Sequence, residues 1–286
     1  MFFPTSFPKQ HQNHHPGFEI EMIPNPIYDN PLYNKSNDRL KDKVAIISGG
    51  DSGIGRAVSI AFAKSGCDIS IIYYNEDEDA IFTKQKIEDE GRKCLLTKGD
   101  LKESKFCKNA IENTLTEYKK INILVNNSAV QYVQDSLLDI DEEQFDKTFK
   151  TNVYGAFYLT KAVLPYLKCG DSIINTTSVV AYHGHETLLD YSMTKGALTT
   201  FTRSLSMQLA KQGIRVNAVA PGPIWTPLIP SSFDEQKVSK FGSNTPMERA
   251  GQPVECSGAY VFLASDEASF ITGQTIHING GEIVNG

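Results

Sequence analysis

From Lys43 onward the chain alternates short aliphatic runs with segments whose apolar positions recur at helical spacing. The runs VAIIS (44–48), DISIIYY (68–74), KCLLTKG (93–99), INILVNN (121–127), SIINTTS (172–178), IRVNAVA (214–220) and QTIHING (274–280) read as strands. Most are β-branched or aliphatic throughout, the pattern of strands covered on both faces. The intervening segments, such as GIGRAVSIAFAKSG and EDAIFTKQKIEDEG, read as helices, the latter ending at a glycine stop. Strand–helix–strand alternation implies right-handed crossovers. The expected fold is therefore α/β: one doubly wound domain with a seven-stranded parallel sheet and helices on both faces. In such sheets ligands bind beyond the carboxyl ends of the strands, so the informative residues should follow each strand.

Two regions break the alternation. Residues 1–40 are rich in Pro, Asn and His without a sustained period, so they form an extended arm, flexible or pinned across a folded surface, beside a domain over 41–286. The HQNHH patch offers imidazoles, yet no cysteine or carboxylate cluster completes a metal site, and none is expected. Residues 221–253 are rich in Pro, Ser and Gly, as lids and binding loops often are. A substrate lid is expected over about 223–253, with SFDEQKVSKFG as a short helix within it.

Composition narrows the function classes. The net charge of −6 comes with no basic stripe, so nucleic acid and anionic membrane are poor partners. No apolar run approaches a membrane span, and the N-terminus lacks the charged and apolar regions of a secretory signal. Five scattered cysteines without C-x-x-C fit reduced thiols in a cytoplasmic protein.

After the first strand comes SGGDSGIGRA. Gly49, Gly53 and Gly55 allow a tight turn, close approach to a pyrophosphate and close helix packing, and the helix N-terminus then faces the phosphates. After the second strand, YYNEDEDA places Glu76 about twenty residues past the glycines, where an acid commonly bonds the adenosine ribose of NAD. The same acids also suit a helix start. No basic residue stands in the turn before Gly53 or in this loop, so NAD is favoured over NADP. Further on, Tyr191 and Lys195 lie four residues apart, a turn apart on one helix face.

With these residues assembled, the chain resembles the short-chain dehydrogenase/reductase family over about 42–286, closest in arrangement to bacterial glucose/ribitol-dehydrogenase-like and general-stress oxidoreductases. The family's T-G-x-x-x-G-I-G appears from Ser48 through Gly55, its adenine-contacting Asp as Asp100, its N-N-A-G as Asn126, Asn127, Ser128 and Ala129, and its Y-x-x-x-K as Tyr191 and Lys195. Ser48, Ser128 and Ala129 depart from the pattern, in the turn and beside the cofactor.

The resemblance implies a Rossmann domain with Asn152, Ser178, Tyr191 and Lys195 as the catalytic set. It implies cofactor contacts at Gly49, Asp51, Ser52, Gly53, Ile54, Gly55, Tyr74, Asn75, Asp100, Leu101, Asn127, Ser128 and Ala129. Tyr191, Lys195, Pro221, Gly222, Ile224 and Thr226 would complete them. Tyr191 would be the general acid/base, its pKa pulled down from about 10 by the Lys195 ammonium and an oxidised nicotinamide. Lys195 would also bind the nicotinamide ribose, Ser178 the substrate oxygen, and Asn152 a water between Lys195 and solvent. A homotetramer is implied, with the arm across a neighbouring subunit.

The expected reaction interconverts an alcohol (polyol, sugar or simple alcohol) and its carbonyl with NAD(P). An NADP-preferring aldehyde reductase and a non-catalytic dinucleotide sensor are the alternatives. Gln131, Tyr132, Tyr182, His183, His185 and Glu186 would suit a polar substrate, while Trp225, Leu228, Ile229 and Phe233 would suit an apolar lid.

Overall fold

A computed structural model describes residues 3–29 and 38–282. Strands β1 (Val44–Ser48), β2 (Asp68–Tyr73), β3 (Cys94–Lys98), β4 (Ile123–Asn126), β5 (Ser172–Thr176), β6 (Arg215–Pro221) and β7 (Thr275–Ile278) form one sheet. Its order is β3-β2-β1-β4-β5-β6-β7, and every pairing is parallel. The seven expected strands are these seven: β1 keeps its expected bounds, β6 is shifted by one residue to end at Pro221, and the others are shorter at one or both ends.

Helices α1 (Gly53–Lys64), α2 (Asp77–Asp89), α3 (Ser104–Tyr118), α4 (Glu142–Phe149), α5 (Gly155–Val163), α6 (Val180–His183), α7 (Leu189–Leu209), α8 (Leu228–Ser232), α9 (Glu235–Ser239) and α10 (Pro253–Ala264) connect and cover the strands. A π-helical turn, Lys150–Tyr154, joins α4 to α5.

Alternate strand residues feed two cores, because successive side chains point to opposite faces. Ala45, Ile47, Ile69, Ile71 and Val125 pack against Val58 and Phe62 of α1 and Tyr260 and Leu263 of α10. Ile46, Ile72, Leu124, Ile173 and Val216 pack against Ile111 of α3, Leu159 of α5 and Leu205 of α7. Burial on both faces is why these strands carry aliphatic residues continuously.

Residues 3–29 of the arm are pinned across the surface of their own domain, one of the two expected placements. Phe7 stacks on Trp225 with ring centroids 3.8 Å apart, and Trp225 Nε1 donates to the Pro24 carbonyl at 2.8 Å. Phe7, Met22, Trp225, Ile229, Val238 and Ala250 form a small separate core that joins the arm to the lid. The physical reason is that Phe7 and Met22, with little apolar company in the arm, find a buried surface within the same chain. Residues 30–37 of the arm and the tail at 283–286 lie outside the described residues.

The lid holds the expected short helix, α9, capped by the Asp234 carboxylate accepting from the N–H groups of Gln236 and Lys237. A second short helix, α8, precedes it. Among the described residues no helix is long and apolar enough to cross a membrane.

Candidate active site

The Gly-rich turn between β1 and α1 is built by steric necessity. Gly49 and Gly53 adopt φ of +62° and +52°, and a Cβ on Gly55 would sit 1.7 Å from the Gly49 carbonyl oxygen. Ser48 keeps the bracing hydroxyl: its Oγ accepts from the N–H groups of Asn127 (2.9 Å) and Ser128 (3.2 Å), tying the ends of β1 and β4 together. Asn127 Nδ2 donates to the Gly49 carbonyl. At the start of α1 the Arg56 N–H bonds Ser52, and Gly53 N–H is taken by Glu19. The N–H groups of Ile54 and Gly55 have no partner among the described residues, which suits phosphate oxygens.

A cleft of about 1000 Å³ runs along the carboxyl ends of the strands. Nearly all the expected cofactor residues line it: Gly49, Asp51, Ser52, Gly53, Ile54, Tyr74, Asp100, Leu101, Asn127, Ser128, Ala129, Tyr191, Lys195, Pro221, Gly222, Ile224 and Thr226. Gly55 and Asn75 do not. Gly55 lies beneath Gly49, and Asn75 faces Glu76.

The phenol and the ammonium meet in the wall of this cleft. Ser178, two residues past β5, lines the cleft with Tyr191 and tempers the pKa of its hydroxyl. Lys195 Nζ donates to the Thr176 carbonyl at 2.8 Å and lies 5.4 Å from the Tyr191 ring centroid. Within the protein itself burial pushes Tyr191 up to about 12, with Ser178 alone opposing it, and lowers Lys195 to about 7. Both side chains are almost wholly shielded from water, so the loss of hydration outweighs their mutual attraction.

Asn152 lies outside the cleft lining. It sits in the π-helical turn, 1 % exposed, and fastens Val130 and Thr194. Both protons of its Nδ2 go to protein acceptors and its Oδ1 accepts from the Val130 N–H.

Three of the four acids after β2 are engaged by other groups. Asp79 pairs with Arg56, Asp77 with Lys98, and Glu76 accepts from the Asn75 N–H while lining the cleft. Arg56, the basic residue directly behind the Gly turn, is buried between Glu19 and Asp79. Burial, then repulsion from Glu76, pushes the Asp51 carboxyl up to about 7; burial also raises Glu76 and takes Glu19 to about 7. This end of the cleft is strongly acidic.

At the substrate end, Gln131, Tyr132, His183, His185, Glu186, Leu228, Ile229 and Phe233 line the cleft. Tyr182 and Trp225 do not. Tyr182 packs edge-on to His277, and Trp225 is buried beneath the lid against Phe7. Sequence reasoning missed His15, Pro16 and Gly17 of the arm, which line the cleft, as well as Lys102 and Lys147. His15 packs on Tyr132 and its Nδ1 lies 3.2 Å from Ser231 Oγ. The HQNHH patch is thus a docking segment, a signal legible only as an unusual cluster of side chains able to stack and hydrogen-bond.

Comparison with known proteins agrees with this geometry. Residues 49–282 match a family model described as Enoyl-(Acyl carrier protein) reductase. The chain is 58 % identical over 281 residues to the oxidoreductase YhxC of Bacillus subtilis, covering 98 % of each chain. The chain belongs to the short-chain dehydrogenase/reductase family. By that membership it is an oxidoreductase.

It is 47 % identical to "Glucose and ribitol dehydrogenase" of Daucus carota, covering 98 % of both chains. With "NADPH-dependent aldehyde reductase 1, chloroplastic" of Arabidopsis thaliana it shares 46 % identity, covering 97 % of this chain and 98 % of the other. A short-chain dehydrogenase from Burkholderia cenocepacia in complex with NADP superposes with a TM-score of 0.80 at 28 % identity, covering 85 % of this chain and 98 % of that one. A 3-ketoacyl-(acyl-carrier-protein) reductase from Brucella melitensis complexed with NADH gives 0.78 at 30 %, over 85 % and 98 %. The Arabidopsis relative is named for NADPH, and the two solved structures hold NADP and NADH, so a nicotinamide dinucleotide is the cofactor type these relatives support.

Proposed function

We propose that this enzyme interconverts an alcohol, of the polyol or sugar class, and its carbonyl, with NAD as the favoured cofactor and Tyr191 as general acid/base. The observation that carries the chemistry is that Ser178, Tyr191 and Lys195 share one cleft wall, with Lys195 Nζ 5.4 Å from the Tyr191 ring centroid. The bound nicotinamide supplies or accepts the hydride. Everything else falls to the chain.

The Ser178 hydroxyl holds the substrate oxygen next to the phenol. Tyr191 takes the alcohol proton in oxidation and returns it to the carbonyl oxygen in reduction. Lys195, when protonated, favours the phenolate form through its charge over the ring. Asn152 keeps Val130, and with it the cleft wall after β4, in place. The unclaimed N–H group of Ile54, in the cleft lining, receives a phosphate oxygen.

The preference for NAD rests on the acidic end of the cleft. Asp51 and Glu76 line it, and Arg56 is consumed by two carboxylates, so a 2′-phosphate would meet a negative field. A second reading, an NADP-preferring aldehyde reductase, draws support from Lys102 and Lys147 in the lining and from the Arabidopsis relative. Lys102 is partly neutralised by Asp100 at 3.2 Å.

A homotetramer is part of the reading, supported by exposed Tyr154 of the π-helical turn, Phe157 of α5 and Met193 and Met207 of α7, apolar side chains that subunit contact would cover. A cytoplasmic location is consistent with five unpaired cysteines, four of them buried.

Calorimetric titration with NAD⁺, NADH, NADP⁺ and NADPH, followed by assays on polyols, sugars and aldehydes, tests the proposal. Tighter binding of the unphosphorylated pair and NAD-linked polyol or sugar oxidation is expected. NADPH preference with aldehyde reduction would replace it with the second reading.

A further inference from the structure

We propose that Glu19, brought in by the N-terminal arm, is a positioning residue for dinucleotide binding: it completes the Gly-rich turn from outside the domain and determines which N–H groups of that turn remain free. This rests on the reading that the cleft holds a dinucleotide.

The turn leaves several N–H groups at the start of α1 without intrahelical partners. Glu19 Oε2 accepts from the first of them, Gly53, at 2.5 Å, and leaves those of Ile54 and Gly55. Its Oε1 accepts from Arg56 Nη1. Arg56 Nε in turn donates to the Asp51 carbonyl at 3.0 Å, and Thr83 Oγ1 donates to the same carbonyl at 2.6 Å. Both limbs of the turn, Asp51 and Gly53, are therefore held by one network that passes through an arm residue. Gly53 sits at φ +52°, a conformation that glycine enters and leaves easily, so an external bond is what selects it.

Glu19 is itself delivered to this position by independent anchors. Its own N–H donates to Asp79 Oδ2 at 2.9 Å. Upstream, Gln12 N–H bonds the Pro230 carbonyl, and the Gln12 amide brackets Phe18 through both its oxygen and its nitrogen. Downstream, Pro24 accepts from Trp225 and the Ile27 N–H donates to Gln252 Oε1. The arm is seated on the lid and on α10 whether or not Glu19 is present. The carboxylate is 1 % exposed. Its charge is balanced by Arg56, which lets an acid stand beside a phosphate cradle.

Trp225 is the only tryptophan, and it reports directly on the arm through Phe7 and Pro24. The experiment measures NAD⁺ and NADH affinity by calorimetry together with Trp225 emission, in the wild type, Glu19→Ala and Glu19→Gln. The expected result is at least about tenfold weaker binding for Glu19→Ala, with Trp225 emission and melting temperature close to wild type. Glu19→Gln, with one acceptor for two donors, should fall between.

Wild-type affinity in Glu19→Ala would overturn the proposal. So would weakened binding with shifted Trp225 emission, which would make Glu19 an anchor of the arm instead. A wild type that binds no dinucleotide would reject the functional reading itself. If Glu19→Ala does not fold, hydrogen exchange on the nucleotide-free wild type decides: Gly53 N–H should be protected while those of Ile54 and Gly55 exchange freely. Equal exchange at all three would overturn the proposal.

Discussion

Asn152 grips Val130 by both ends of its amide: Val130 N–H donates to Oδ1 at 2.8 Å, and Nδ2 donates to the Val130 carbonyl at 2.9 Å. Side-chain amide and backbone thus pair as two strands would, although neither residue lies in a strand. The consequence is mechanical. The segment after β4, which lines the cleft from Asn127 to Tyr132, is fastened to the π-helical turn and, through Thr194, to the helix carrying Tyr191 and Lys195.

Asn152→Ala should therefore loosen the cleft wall as well as the fold. It strips partners from a buried N–H and carbonyl, which costs about 1–3 kcal/mol. Chemical denaturation should show that loss, and turnover should fall with it. A variant of unchanged stability and activity would show that Val130 needs no such clamp.

Tyr191→Phe removes the proton donor and little else. Turnover should drop by about 10²- to 10⁴-fold, the usual worth of a general acid/base. Dinucleotide affinity should stay near wild type, since the ring and Lys195 remain. Near-full turnover would end the acid–base assignment.

Stability should depend on pH in an unusual direction near neutrality. Glu19 and Asp51 are held up to about 7 in the fold, against ordinary values of 4.5 and 3.8. Between those limits the fold binds protons that the unfolded chain has lost, so their contribution is full at low pH and fades as pH rises through 7. Lys195, lowered to about 7 from 10.5, acts in the opposite interval: above 7 the unfolded chain holds the extra proton, and stability recovers as pH rises toward 10.5. The melting temperature should thus be higher near about pH 5.5 than near about pH 7.5, and Glu19→Gln with Asp51→Asn should flatten that slope. A steady rise over the same range would contradict the assignment.

Cofactor choice should respond to the acidic end of the cleft. Glu76→Gln removes one charge beside the expected ribose position. NADP⁺ affinity should improve relative to NAD⁺ by about tenfold, since a unit charge a few ångströms away is worth on the order of 1–4 kcal/mol. An unchanged ratio would place the discrimination elsewhere, with Lys102 and Lys147 the next residues to replace.

The linear chain by itself determined the sheet, the crossovers and the spacing of Tyr191 and Lys195. Continuous aliphatic runs admit only strands buried on both faces, Gly49 and Gly55 admit only a tight turn, and Tyr191 and Lys195 are four residues apart on any helix. These are local rules, and local rules are written in consecutive residues. What the tertiary structure alone decided depends on where distant segments return. Glu19 meets Gly53 across 34 positions, and Pro24 meets Trp225 across 201. The arm carries no hydrophobic period to announce such contacts. The same holds for electrostatics: the enclosure of Arg56 by Glu19 and Asp79 exists only in the fold, and Lys195 is read as an ammonium until burial removes the water that would keep it charged.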